Sequence, residues 1–267
     1  MRKWIFLALV TVSLRGEWDE ETFCPKPKCQ ATFVNRTRVW AGPEVFHLRL
    51  GVDKINNYRG YLGGVVGGFE RKYVWDLYVN VNGSYALGRL NGQSSRSRFV
   101  HDMFVEGLFG GSIPLTACHN LLFTPYLGFG YTHVIQHLRA SGLPSLNFKY
   151  SKYYLPLGFI FDYMPISWVN VGLDFKWMPQ IDPTLKVVDL SGGRWELAYK
   201  QGFFVKLPIE FIFKKHERYF WNVGVVPFFR WMKDGQTQAV TNNGTRLAIP
   251  ENQYTYWGGQ VTFAINF

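Results

Sequence analysis

The last fourteen residues, Tyr254 to Phe267, alternate without a break. One row, Thr255, Trp257, Gly259, Val261, Phe263, Ile265 and Phe267, is mostly apolar. The other, Tyr254, Tyr256, Gly258, Gln260, Thr262, Ala264 and Asn266, is polar, small or amphipathic. Successive side chains of a strand point to opposite faces, so this period of two sorts the rows onto two different solvents. A helix would scatter both rows around its circumference. A strand that is apolar outside and polar inside is the repeating unit of a transmembrane β-barrel.

The same period recurs along most of the chain. It predicts ten strands over 40–54, 59–71, 74–89, 98–112, 121–138, 149–163, 167–179, 200–213, 218–232 and 252–267. Most exceed the roughly 9–11 residues that cross the hydrocarbon at a tilt. In the third, Trp75, Leu77, Val79, Val81, Tyr85 and Leu87 alternate with Asp76, Tyr78, Asn80, Asn82, Ser84 and Ala86. No run reaches the ~18 apolar residues of a membrane-spanning helix. The expected fold is all-β, a closed antiparallel transmembrane β-barrel of ten strands, with eight or twelve as the alternatives.

Connector lengths orient it. The links around Lys72-Tyr73, Met164–Ser167 and Lys214–Glu217 are short, whereas those after the seventh and ninth strands are the longest. Short turns face the periplasm in outer-membrane barrels and long loops face outward. Ser191-Gly192-Gly193 and Asn243-Gly244 give the two longest loops hairpin turns of their own, predicted to extend the wall beyond the membrane.

Composition agrees. Aromatic residues make up 18% of the chain, with ten Trp, enough for girdles at both membrane interfaces. The net charge is +10, but the cations are scattered, so the reading is anionic outer-membrane lipid as partner and no nucleic acid. Residues 1–16 read as a signal peptide, with Arg2 and Lys3 ahead of the apolar run Trp4–Leu14. Residues 17–38, with Cys24-Pro25-Lys26-Pro27-Lys28-Cys29, are predicted to be an irregular, plug-like periplasmic arm, because the prolines forbid regular structure. The barrel is assigned to 39–267.

The C-terminal strand ends on alternate apolar residues, Trp257, Val261, Phe263, Ile265 and the terminal Phe267. This ending resembles the assembly signal of Gram-negative outer-membrane β-barrel proteins. The resemblance implies a small, about ten-stranded barrel, an outer-membrane location with long loops extracellular, and recognition by the barrel-assembly machinery.

The candidate functional residues follow from the inward rows. As assigned, these gather a luminal charge network of His47, Arg49, Asp76, Asp102, Glu106, Asp162, Asp174, Lys176, Lys206, Glu210 and Arg230. Buried charges of mixed sign require partners, so the network is expected to fix register and fill the lumen. The function this implies is a structural or surface-interaction role. The alternatives are a narrow, porin-like pore for small solutes and an outer-membrane hydrolase with its site at the rim. No His-x-Ser motif occurs and no catalytic residue is assigned. No cofactor is called for, and no metal: on a strand, His133 and His137 stand roughly 13–14 Å apart, too far to share an ion.

Cys24, Cys29 and Cys118 are all expected on the periplasmic side. Their odd number allows a Cys24–Cys29 bridge with Cys118 left over, a disulfide-linked envelope partner, or a zinc set completed by His119.

Overall fold

The computed structural model describes residues 29, 31–33, 35–52, 56–92, 96–139, 146–187, 194–214, 219–240 and 246–267. The expected signal peptide, most of the arm and Cys24 lie outside the described residues. Ten antiparallel strands form the wall: β1 (Arg36–Val52), β2 (Asn56–Lys72), β3 (Leu77–Asn91), β4 (Ser97–Gly111), β5 (Leu121–Arg139), β6 (Leu146–Tyr154, continuing as Leu157–Ile166), β7 (Val169–Val187), β8 (Gln201–Lys206, continuing as Ile209–Lys214), β9 (Phe220–Asp234) and β10 (Asn252–Asn266).

Each strand pairs with its sequence neighbours, and β10 pairs with β1 from Arg38↔Asn266 to Val52↔Asn252. That last pairing closes the sheet and removes its edges. Pairing lapses on this seam at Gly42–Pro43, where the chains run so close that a Cβ on Gly42 would lie 1.8 Å from the Val261 carbonyl oxygen. The breaks within β6 and β8 fall at Leu155–Pro156 and Leu207–Pro208, where a proline has no N–H to give the ladder.

β1 begins at Arg36, so residues 36–38 belong to the wall rather than the arm, and β7 runs eight residues beyond the expected Pro179 to Val187. Arg194–Glu196 pairs back onto this extension of β7, and Thr237–Val240 pairs with Arg246–Ile249 beyond β9. The first therefore continues the wall outward, while the second is a separate two-stranded sheet; the expected turns Ser191-Gly192-Gly193 and Asn243-Gly244 lie outside the described residues.

The outer face is apolar. An aliphatic band with exposed Val45, Val65, Val81, Val105, Leu127 and Val225 lies between aromatic groups, with Tyr61, Tyr85 and Trp257 on the extracellular side and Trp75, Trp168, Tyr219 and Trp221 on the periplasmic side. A closed barrel with this exterior is solvated by lipid.

Candidate functional site in the barrel lumen

The lumen divides into two zones. The extracellular half is a packed core of aliphatic and aromatic side chains, with Leu48, Leu50, Leu62, Leu90, Tyr254 and Tyr256 each 0% exposed. Several polar groups are bonded inside that packing. Gln136 donates to the Tyr254 hydroxyl at 2.9 Å, Asn252 donates to the Tyr150 hydroxyl at 2.8 Å, and Lys152 pairs with Asp234.

Charge dominates the periplasmic half. Arg36 and Arg38 on β1 each bridge Glu70 on β2 and Glu210 on β8, at 2.5 to 3.1 Å, forming a four-membered ring of alternating charge across the lumen. Lys72 on β2 pairs with Asp162 on β6, and Lys176 on β7 with Glu106 on β4. At mid-height Arg230 on β9 meets Asp102 on β4 at 2.6 Å and stacks 3.8 Å over the Tyr256 ring. The Arg–Glu70 bridges link the neighbouring strands β1 and β2, and the other pairs join strands that are not neighbours in the sheet. Removing such ions from water costs several kcal/mol apiece, and mutual pairing offsets that cost without large net gain. What the pairs impose is register, because a slip of one residue would turn every charge into lipid.

Among them lies a cavity of about 90 Å³, lined by groups that include Arg38, Trp40, Glu70, Asn82, Asp174 and Lys206. Among the described residues Trp40 Nε1 and Asn82 Oδ1 have no hydrogen-bond partner. At about 10–15 Å³ per water site the space is large enough to hydrate them. The Lys206 ammonium sits 4.7 Å over the Phe204 ring, and Asp174 accepts a 2.5 Å hydrogen bond from the Tyr126 hydroxyl.

The periplasmic mouth receives the end of the arm. Ala31 and Phe33 are buried against Leu122 and Met164, with Val74 and Ile212 beside them. The Phe33 amide donates to the His119 carbonyl at 3.1 Å. Cys29 is disulfide-bonded to Cys118 in the β4–β5 turn. This replaces the expected Cys24–Cys29 bridge, and it removes two ligands from the zinc set weighed around His119. Among the described residues no group of three metal-ligating side chains gathers.

Of the expected luminal charges, Asp102, Glu106, Asp162, Asp174, Lys176, Lys206, Glu210 and Arg230 lie inside the barrel. Three do not. His47 and Arg49 stand on the outer wall, where the His47 ring packs on Tyr61 and Trp257 at 5.3 and 5.1 Å. Asp76 is exposed in the β2–β3 turn, ahead of β3. The error on β1 has a physical cause. Near the extracellular rim the lumen is apolar and the wall meets headgroups, so Leu48 and Leu50 point in while the polar residues point out.

Arg36, Arg38, Glu44, Glu70, Lys72, Arg98, Lys152 and Asp234 escaped the sequence reading and are buried or nearly so. The signal for Glu70 and Lys72 was their shared parity at the end of β2. For Arg36 and Arg38 it was the same alternation, two steps upstream of Trp40. His101, His133 and His137 line the outer wall, with His133 Nδ1 2.8 Å from the Ser151 hydroxyl. Among the described residues no histidine forms an ion pair with a carboxylate.

The outward row of β10 holds Trp257, Val261, Phe263, Ile265 and Phe267, all exposed, and the Phe267 amide donates to the Thr37 carbonyl at 2.9 Å.

No protein-family model matches the sequence, and no curated protein sequence does either. Solved structures match the fold. The outer membrane protease OmpT from Escherichia coli is similar at 10% identity, over 92% of this chain and 99% of that one, with a TM-score of 0.53. The translocator domain of the autotransporter NalP from Neisseria meningitidis matches at 11% identity over 87% and 88%, with a TM-score of 0.47. At such identities the likeness concerns the fold alone. That fold is the outer-membrane β-barrel, and the lipid-facing band fits the outer membrane as its location.

Proposed function

We propose that this ten-stranded outer-membrane β-barrel is a closed scaffold that holds its long β7–β8 and β9–β10 loops at the cell surface, with a structural or surface-interaction role and no conducting lumen. The observation that carries this reading is the packed extracellular half. Six aliphatic and aromatic side chains there have no exposure, across the path a solute would take. Apolar burial at close packing density leaves no continuous file of water for ions to follow.

In planar bilayers the folded protein is expected to give no unitary current. Steady conductance steps from the purified protein would overturn the closed reading in favour of the narrow pore.

Two partners belong to the same reading. The outward row ending at Phe267 supports recognition by the barrel-assembly machinery, since an exposed alternating apolar strand can be read by edge pairing before the barrel closes. With Cys29 committed to Cys118, a disulfide to an envelope protein falls to Cys24.

A further inference from the structure

The outer wall carries a recess that the lumen does not account for. Near the extracellular ends of β5, β6 and β7 a hollow of about 220 Å³ is lined by Tyr131, Lys149, Ser151, Asp182, Lys186 and Arg194, among others. Lys149 stands directly opposite Lys186 in the β6–β7 ladder, and Lys186 directly opposite Arg194 in the next. Their neighbours Tyr150, Leu185 and Val187 are buried in the lumen, so the three cations point away from it.

Like charges set directly opposite in a sheet repel. Among the described residues the one carboxylate lining the recess, Asp182, is held by Arg194 at 3.2 Å. Among the described residues Lys149 and Lys186 pair with no carboxylate. The backbone helps to open the space: β7 has one extra residue between the pairs Ser151↔Thr184 and Tyr153↔Ile181, and Asp182 there takes a φ of 46°.

Depth identifies what such a site meets. On the membrane side of it Phe129 stacks on Tyr153 at 5.4 Å and Tyr131 packs on the same ring at 5.1 Å, an aromatic group of the kind that marks the headgroup boundary. The recess therefore opens sideways, toward lipid headgroups rather than over the loops. We propose that it binds a phosphate of a phosphorylated glycolipid in the outer leaflet. Lys149 and Lys186 would flank the anion, with the Ser151 hydroxyl as a further polar contact. An anion there converts an unfavourable Lys–Lys opposition into two charge-assisted contacts.

The test is native mass spectrometry of the folded, detergent-solubilised protein titrated with diphosphoryl lipid A. The double variant Lys149→Gln/Lys186→Gln is compared with Arg49→Gln/Arg59→Gln, which removes another directly opposed pair of outward cations, on β1 and β2. Heat-modifiable gel migration verifies that both variants are folded. The expected result is a lipid A adduct on the native protein, weakened about tenfold or more in the first variant, the scale of losing charged hydrogen bonds. The second should stay within about twofold, as for exposed charges lacking a built site. Equal weakening in both variants would reduce the effect to general surface charge and overturn the proposal. Displacement of lipid A by an equal concentration of inorganic phosphate would overturn it too, by making the recess a site for free anions.

Discussion

The two halves of the lumen fill the same cylinder with opposite chemistry. Toward the cell surface Leu48, Leu50, Leu62 and Leu90 meet Tyr254 and Tyr256, and closure rests on apolar packing, which is non-directional and tolerant of small shifts. Toward the periplasm the Arg36–Glu70–Arg38–Glu210 ring and the Lys72–Asp162 pair do the filling. Those contacts are directional and act in sets, so loss of one member strands another charge. The apolar half seals, and the ionic half sets which residues stand opposite which. The contrast predicts that equal-sized truncations will have unequal effects.

Glu210→Ala is expected to do the most damage, since it leaves two arginines side by side with one carboxylate. The loss should be about 3–5 kcal/mol, the cost of uncompensated buried charge, read as a lowered urea midpoint of the folded protein in detergent. A loss below about 1 kcal/mol, the range of exposed pairs, would mean that water rather than the partner solvates those guanidinium groups.

Leu62→Ala tests the other half. Here the expected cost is about 3 kcal/mol from lost transfer energy and the cavity left behind. Because packing is local, the Glu210 and Leu62 losses should add when combined. Strong non-additivity in the same denaturation assay would break the division into two zones.

Next is the strap below the ionic half. Cys118→Ser removes a link between residues 89 apart in sequence, and about 2 kcal/mol should go with it, toward the low end for disulfides because Ala31 and Phe33 still dock on Leu122 and Met164. Limited proteolysis should then cut the native barrel only upstream of β1. Cleavage within the β-ladder would show that the bond holds the wall itself.

The smallest effect belongs to the loops. Hydrogen bonds from Lys233 and Lys200 hold the Glu251 carboxyl below its ordinary value of 4.5. A lowered folded pKa contributes stability that is fully present above the unfolded value and fades as pH falls through the folded one. Hydrogen exchange near Glu251 should therefore rise on acidification below that range, and Glu251→Gln should abolish the pH dependence.

The strand count was legible because period two is local: apart from the Gly-rich second strand, whose facing Gly63, Gly64, Gly67 and Gly68 leave ambiguous, the segments carry it alone, down to the final alternation ending at Phe267. The facing of β1 was not, because polarity marks the lumen only where the outside is hydrocarbon. At His47 and Arg49 the outside is headgroups, and the rule inverts. Pairing across the lumen was also beyond local reading. Arg36 meets Glu210 over a separation of 174 residues, and no spacing in the chain announces it. The cysteines show the same limit: Cys24 and Cys29 are near in sequence, yet closure of the barrel brings Cys118 to Cys29.

That bond also sets a path for force. β1 forms the closing seam with β10 and is the first strand after the arm, so a pull on the N-terminal segment would be expected to peel the barrel open from β1. The bond at Cys29 intercepts the load before Arg36 and delivers it to the β4–β5 turn, three strands away from the seam. The N-terminal segment can thus serve as a tether without becoming a ripcord.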